Sequence, residues 1–188
     1  MPLSRRFIDA LEFAAELHQA QVRKGSGIPY VAHLLGVASI ALEYGADEDE
    51  AIAGLLHDAI EDQGGDATRA EIRRRFGDRV TAIVDGCTDT DEHPKPPWRE
   101  RKERHLQALG AADASIRLVM AADKLQNARS MIKDFRTIGA PLWERFRGGR
   151  DGSLWYLRAM TERLHAAGPT ALTAELLRVV AEVERLAG

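Results

Sequence analysis

Residues 54–62 read Gly54-Leu55-Leu56-His57-Asp58-Ala59-Ile60-Glu61-Asp62, four polar side chains set in a run otherwise apolar enough to be buried. At about 100° per residue, a helix puts Glu61 one turn beyond His57 and Asp62 one turn beyond Asp58, so the four share one sector. Burying such groups without partners costs on the order of several kcal/mol. A divalent cation held by His57 and Asp58, with Glu61 and Asp62 placed to act on water or substrate beside it, is the simplest way to offset that cost.

The helical period continues outward from this stretch. Nearly every patterned segment repeats its apolar residues at helical spacing and none alternates as a half-buried strand would, so the sequence predicts an all-α, compact multi-helix domain. A first helix is expected from Ser4 to Gln21, with Phe7, Leu11, Ala14, Ala15 and Leu17 on its buried stripe, broken by Gly25 to Pro29. A second from Tyr30 to Tyr44 carries Leu34, Val37, Ala38 and Ala41, holds His33 in its first turn and stops at Gly45. Asp47 with Glu50 has capping-box spacing for a third helix, expected to run through His57 and Asp58 to Asp62 before Gly64-Gly65 ends it. Thr68 with Glu71 repeats that spacing ahead of a short helix to Phe76, and Gly77-Asp78 opens another to Cys87. Thr88 to Pro97, rich in Asp and Pro, is expected to be a mobile loop beside the site. Helices follow at Trp98 to Leu109, Ser115 to Phe135, Gly152 to Ala167 and Thr170 to Leu186.

With 188 residues and 45% hydrophobic content, the chain suits one domain with a real core, spanning residues 1–188. Its net charge of −3 argues against broad electrostatic contact with a nucleic-acid polymer and leaves a small nucleotide as the better-fitting partner. Cys87 is the only cysteine, so neither an internal disulfide nor a thiolate cluster can form, which suits a cytoplasmic protein. Arg5, Arg6, Asp9 and Glu12 interrupt the N-terminus before an apolar export segment could form, and no run approaches the roughly eighteen apolar residues of a membrane span; a soluble, unprocessed protein is expected.

Metal-grade side chains stand in apolar surroundings on three separate segments: His33, the pair His57-Asp58, and Asp123 within Leu118-Val119-Met120-Ala121-Ala122-Asp123-Lys124-Leu125. Two imidazoles and two carboxylates, with open positions for water and substrate, suit Mn²⁺ better than a closed structural zinc site, with other divalent metals as alternatives. Asn127 lies one turn after Asp123 and so points to the same place.

These residues give the chain a resemblance to the HD phosphohydrolase superfamily, and within it to the RelA/SpoT-type hydrolase domain in its stand-alone small alarmone hydrolase form. The resemblance is carried by Arg23-Lys24-Gly25 with Pro29-Tyr30 and His33, by Leu55-Leu56-His57-Asp58 with Glu61-Asp62, and by Ala122-Asp123-Lys124-Leu125 with Asn127 and Arg129. It implies an HD-domain fold with a central site in which His33, His57, Asp58 and Asp123 hold one Mn²⁺. Glu61 and Asp62 would orient and deprotonate the attacking water. Arg23, Lys24, Asn127 and Tyr156 would contact nucleotide or phosphate, and Arg101 and Lys102, in the charged run after the loop, are further phosphate candidates. The implied reaction is hydrolysis of a guanosine (or adenosine) 3′-pyrophosphorylated alarmone, such as ppGpp or pppApp, releasing pyrophosphate in the stringent response. No synthetase segment follows here, so a hydrolase-only role is expected.

Gln63 departs from the threonine usual after Glu-Asp, the 122–127 run is a variant, and the 86–98 segment is unlike the better-known alarmone hydrolases. These departures bear on base preference and substrate more than on metal chemistry. The competing readings are an HD phosphohydrolase acting on another nucleotide or nucleotide cofactor, a two-metal phosphodiesterase drawing on His93 and His105, and a non-catalytic nucleotide sensor. Retention of all six metal and catalytic positions argues against the last. A homodimer through the final helices is left open.

Overall fold

A computed structural model describes residues 2–90, 92 and 94–188. Among these the architecture is helical throughout, and the one β-type pairing is an isolated bridge between Val22 and Pro29. The helices are α1 (Arg5–Leu17), α2 (Val31–Glu43), α3 (Glu48–Leu56), α4 (Ala59–Asp62), α5 (Gly65–Phe76), α6 (Asp78–Cys87), α7 (Trp98–Ala108), α8 (Ala114–Ile138), α9 (Gly149–Ala167) and α10 (Ala171–Ala187). Short 3-10 segments at Leu109–Ala111 and Ala140–Arg145 follow α7 and α8. None of the helices is long and apolar enough to cross a membrane.

Caps fix several starts. Ser4 accepts from the Arg6 N–H, Asp113 from the Ile116 N–H, and Asp47 with Glu50 forms the expected reciprocal box. Thr170 and Thr173 form a second box. The Thr68 expectation is corrected: α5 starts three residues earlier, and the Thr68 hydroxyl instead donates to the Gln63 carbonyl. Helix α1 stops at Leu17 rather than Gln21, which frees Gln21 for contacts across the site.

Two apolar clusters make up the core. One gathers α1, α3, α5 and α6 around Leu34, Ile52, Leu55, Leu56, Ile72 and Val80. The other gathers α8, α9 and α10 around Leu125, Met160, Leu164 and Leu176. Helices α2 and α8 serve both: Leu34 and Ala38 face the first cluster while Val37, Ile40 and Ala41 face the second, and Val119 faces the first while Met120 and Leu125 face the second. The polar constellation lies on this seam, where rigid helices from both halves converge.

Candidate metal and phosphate site

The decisive stretch departs from one continuous helix. Helix α3 ends at Leu56, His57 and Asp58 form a turn, and α4 resumes at Ala59. The carbonyl of Gly54, which an unbroken helix would offer to the Asp58 N–H, lies 2.9 Å from His57 Nδ1. That interruption separates the four polar residues. Glu61 lines the central cavity with His57 and Asp58, whereas Asp62 stands exposed at its edge, its Oδ2 accepting from Gln21 Nε2 at 2.8 Å.

His33 arrives from the first turn of α2 and Asp123 from the middle of α8. His57 Nε2 lies 3.0 Å from Asp58 Oδ2 and 3.7 Å from Asp123 Oδ1; His33 Nε2 lies 3.6 and 3.3 Å from the same two atoms. Both histidines are essentially buried, as is Asp123. Each imidazole offers Nδ1–H to an acceptor away from the cluster, His57 to the Gly54 carbonyl and His33 to Gln126 Oε1 at 2.7 Å. Both Nε2 lone pairs are thereby turned toward the carboxylates, and His57 Nε2 is buried without a hydrogen-bond partner.

The electrostatics favour positive charge between these groups. Burial alone would push His57 down, but Asp58 and Asp123 outweigh it and bring its pKa up to about 9; His33 is raised for the same reason. Burial likewise opposes ionisation of Asp58 and Asp123, yet the imidazoles, and for Asp123 the Lys124 ammonium 2.6 Å away, hold both carboxyls below the ordinary range. His33, His57 and Asp58 bring one donor atom each close enough together to fit a divalent ion of borderline hardness, and Asp123 Oδ1 lies against both imidazoles.

The cavity, about 170 Å³, is also lined by Arg23, Tyr30, Asp89, Lys102, His105, Lys124 and Asn127. Asn127 donates to Asp123 Oδ1 at 2.5 Å and accepts from Arg23 at 2.8 Å, so Arg23 is tied to the cluster through it. Tyr30 donates to Asp58 Oδ2. Lys24 is exposed and does not line the cavity. Tyr156 stands behind the cavity wall, its hydroxyl 3.1 Å from His105 Nδ1 and the Lys102 and Lys124 ammonium groups over its ring. Arg101 is 6% exposed and does not itself line the cavity; it donates to Asp89 and to the Pro96 carbonyl, and its Nη1 lies 4.0 Å from Glu61 Oε1.

The described residues of 88–97 make ion pairs with neighbouring helices. Asp89 takes Arg101 and Lys102, Lys95 Nζ meets Glu61 Oε1 at 2.8 Å, and the Trp98 indole packs against Gly148 and Gly152, where a Cβ at Gly148 would lie 2.6 Å from the ring. Asp91 and His93 lie outside the described residues, so the second-metal expectation rests on His105, which faces Asp89 and Tyr156. Sequence reading missed Tyr30, Gln126, Lys124, Lys95 and Gln21 as site residues. Lys124 and Gln126 carried a signal, since they flank Asp123 on one helix; Lys95 and Gln21 reach the site only through loop geometry.

A model of the HD domain matches residues 10–153. The chain belongs to the HD-domain family. Within that family it is 39% identical over 127 residues to the guanosine-3′,5′-bis(diphosphate) 3′-pyrophosphohydrolase of Xenopus tropicalis, an alignment covering 66% of this chain and 68% of that one. It is 38% identical over 122 residues to the enzyme of the same name from Aquifex aeolicus, covering 65% of this chain but only 17% of the relative. A GTP pyrophosphokinase of Streptomyces coelicolor is similarly matched, at 37% identity over 15% of its length. A solved HD-domain structure, described as a metazoan orthologue of SpoT that hydrolyses ppGpp, superposes with a TM-score of 0.79 at 25% identity over 97% of both chains.

Proposed function

We propose that this chain is a metal-dependent phosphohydrolase that removes pyrophosphate from the 3′ position of guanosine 3′,5′-bis(diphosphate) or a closely related 3′-pyrophosphorylated nucleotide. The observation that carries the reading is the convergence of His33, His57 and Asp58, with Asp123 against both imidazoles and Glu61 lining the same cavity. The names borne by the Xenopus and Aquifex relatives point to the same reaction.

Those four side chains would hold one divalent ion, Mn²⁺ being the best match to a mixed imidazole and carboxylate set with open positions. When bound, the ion supplies a Lewis acid that lowers the pKa of water and offsets charge on a phosphoryl oxygen. Glu61, facing the cavity, takes the proton from the attacking water; Asp62, at the edge, orients that water and its hydrogen-bonded neighbours. Water adds to the phosphorus bonded to the 3′ oxygen, that bond breaks, and a proton returns to the 3′ oxygen, giving pyrophosphate and a nucleotide with a free 3′ hydroxyl.

Arg23, held by Asn127, and Lys102 supply positive charge for the phosphates, with Lys24 on the exposed approach. Tyr156 frames Lys102, and Arg101 acts through Asp89 rather than by direct contact. The chain works as one domain in the cytoplasm, on a small nucleotide rather than a nucleic-acid polymer.

The test is release of pyrophosphate from a panel of 3′-pyrophosphorylated guanosine and adenosine nucleotides with Mn²⁺ present, comparing wild type with Asp58→Ala and Glu61→Ala. Turnover by wild type and its loss in both variants is expected. Metal binding without turnover on any member of the panel would overturn the assignment.

A further inference from the structure

The two histidines of the cluster are oriented by different means. His57 gives its Nδ1–H to a backbone carbonyl, that of Gly54, which no substitution removes. His33 gives its Nδ1–H to a side chain, Gln126 Oε1, 2.7 Å away and 93 positions along the chain. Gln126 sits on α8, three residues after Asp123, and its oxygen lies 3.5 Å from Ser130 Oγ one turn further on.

Gln126 passes close over Gly36 on its way to His33. A Cβ built on Gly36 would lie 2.8 Å from Gln126 Cγ, 3.3 Å from its Cδ and 3.2 Å from its Nε2. Carbon atoms in contact settle near 3.5–4.0 Å, so a methyl group there must displace the amide. Gly36 is one turn after His33 on α2, and it touches neither carboxylate of the cluster in the contacts above. The backbone of α2 thus accommodates a side chain of α8 whose one polar contact across the seam is with a cluster imidazole.

We infer that Gln126 is the positioning residue for His33, fixing the tautomer that presents Nε2 to the cation, and that Gly36 is the space that lets it do so. The inference rests on the reading of His33, His57, Asp58 and Asp123 as a metal site. A neutral imidazole carries one proton, and the acceptor on Nδ1 decides that Nε2 is the bare nitrogen. Without Gln126 the Nδ1 proton loses its acceptor, and the tautomer with the proton on Nε2, where it competes with the metal, is no longer disfavoured. Partners of this kind are worth about 10–100-fold in metal affinity.

The experiment is calorimetric titration of Mn²⁺ into metal-stripped wild type, Gln126→Leu, Gln126→Glu, Gly36→Ala and the double variant Gly36→Ala with Gln126→Leu, with His33→Ala as control and thermal melts of each metal-free protein. Gln126→Leu and Gly36→Ala should each weaken Mn²⁺ by about 10–100-fold. The double variant should bind no worse than Gln126→Leu alone, because both remove the same contact. Gln126→Glu, which keeps an acceptor, should bind at least as tightly as wild type. A merely structural role for Gln126 would lower the melting temperature and leave affinity unchanged; Mn²⁺ affinity unaltered in Gln126→Leu, while His33→Ala loses it, overturns the inference. If Gln126→Leu fails to fold, unaltered affinity in Gly36→Ala overturns it equally. Absence of Mn²⁺ binding by wild type would instead remove the metal reading beneath it.

Discussion

Around His33, His57, Asp58 and Asp123 the converging atoms are imidazole lone pairs and carboxylate oxygens, whereas around Asp89 they are Arg101, Lys102 and His105, cations or potential cations that already enclose the acid. Both clusters are largely withdrawn from solvent, with Asp58, Asp89 and Lys102 half-buried, and both reach the same cavity. The Asp89 carboxyl is held below the ordinary carboxylate range, against its burial, by His105, Lys102 and Arg101. Lys102 is lowered by burial despite that partner. Buried polarity alone therefore does not mark a metal site. The first cluster favours a cation from outside, and the second is neutralised from within and anchors the 88–97 segment.

Substitution separates the two most sharply. Asp58→Ala should lose Mn²⁺ binding and turnover by more than the roughly 100-fold that an orienting partner is worth, as judged by calorimetry and pyrophosphate release. Asp89→Ala should instead cost stability. It leaves the buried Arg101 guanidinium with only the more distant Glu61 carboxylate, 4.0 Å away, and Lys102 without its carboxylate partner, and urea denaturation should show a loss of about 3–5 kcal/mol with Mn²⁺ affinity retained.

Metal addition gives the next largest contrast. At a hundredfold excess over its dissociation constant, Mn²⁺ should stabilise wild type and Asp89→Asn alike by about 2.7 kcal/mol in a chemical-denaturation titration, and Asp58→Ala not at all. Acid gives a smaller one. Because the folded Asp89 resists protonation, the unfolded chain takes up the proton first, near its ordinary pKa of about 3.9, so the contribution of Asp89 is present above that value and is lost as pH falls below it. Stability curves between about pH 5 and pH 2 should therefore fall less steeply in Asp89→Asn than in wild type. Lys95→Met should matter least to stability. Its pair with Glu61 is partly exposed, at 26% and 21% of the two side chains, so a change below about 1 kcal/mol is expected in the same urea assay.

Much of the candidate cluster was legible because its residues violate their surroundings: His57, Asp58 and Asp123 interrupt apolar helical runs, and withdrawing such groups from water demands a reason. The helical fold followed from the 3.6-residue period in the same way. The turn at His57–Asp58 was not legible, because the residues on both sides favour helix and the interruption involves a side-chain contact with the Gly54 carbonyl. With that turn unseen, Glu61 and Asp62 were given equivalent places, although only Glu61 faces the cavity. Arg101 read as a phosphate ligand from charge alone, and its engagement by Asp89 depends on how the 88–97 segment folds back. Gly36, and the contact of Gln126 with it and with His33, were invisible for a related reason, since neither residue carries a charge and the contact joins two helices distant in sequence.

The most direct measurement is the stoichiometry and affinity of Mn²⁺ binding to metal-stripped wild type, Asp58→Asn and Asp89→Asn side by side. One ion per chain in wild type and in Asp89→Asn, with binding lost in Asp58→Asn, is the result expected from a cluster that favours an external cation beside one that is neutralised from within. Binding that survives in Asp58→Asn, or that disappears in Asp89→Asn while the protein stays folded, would contradict it.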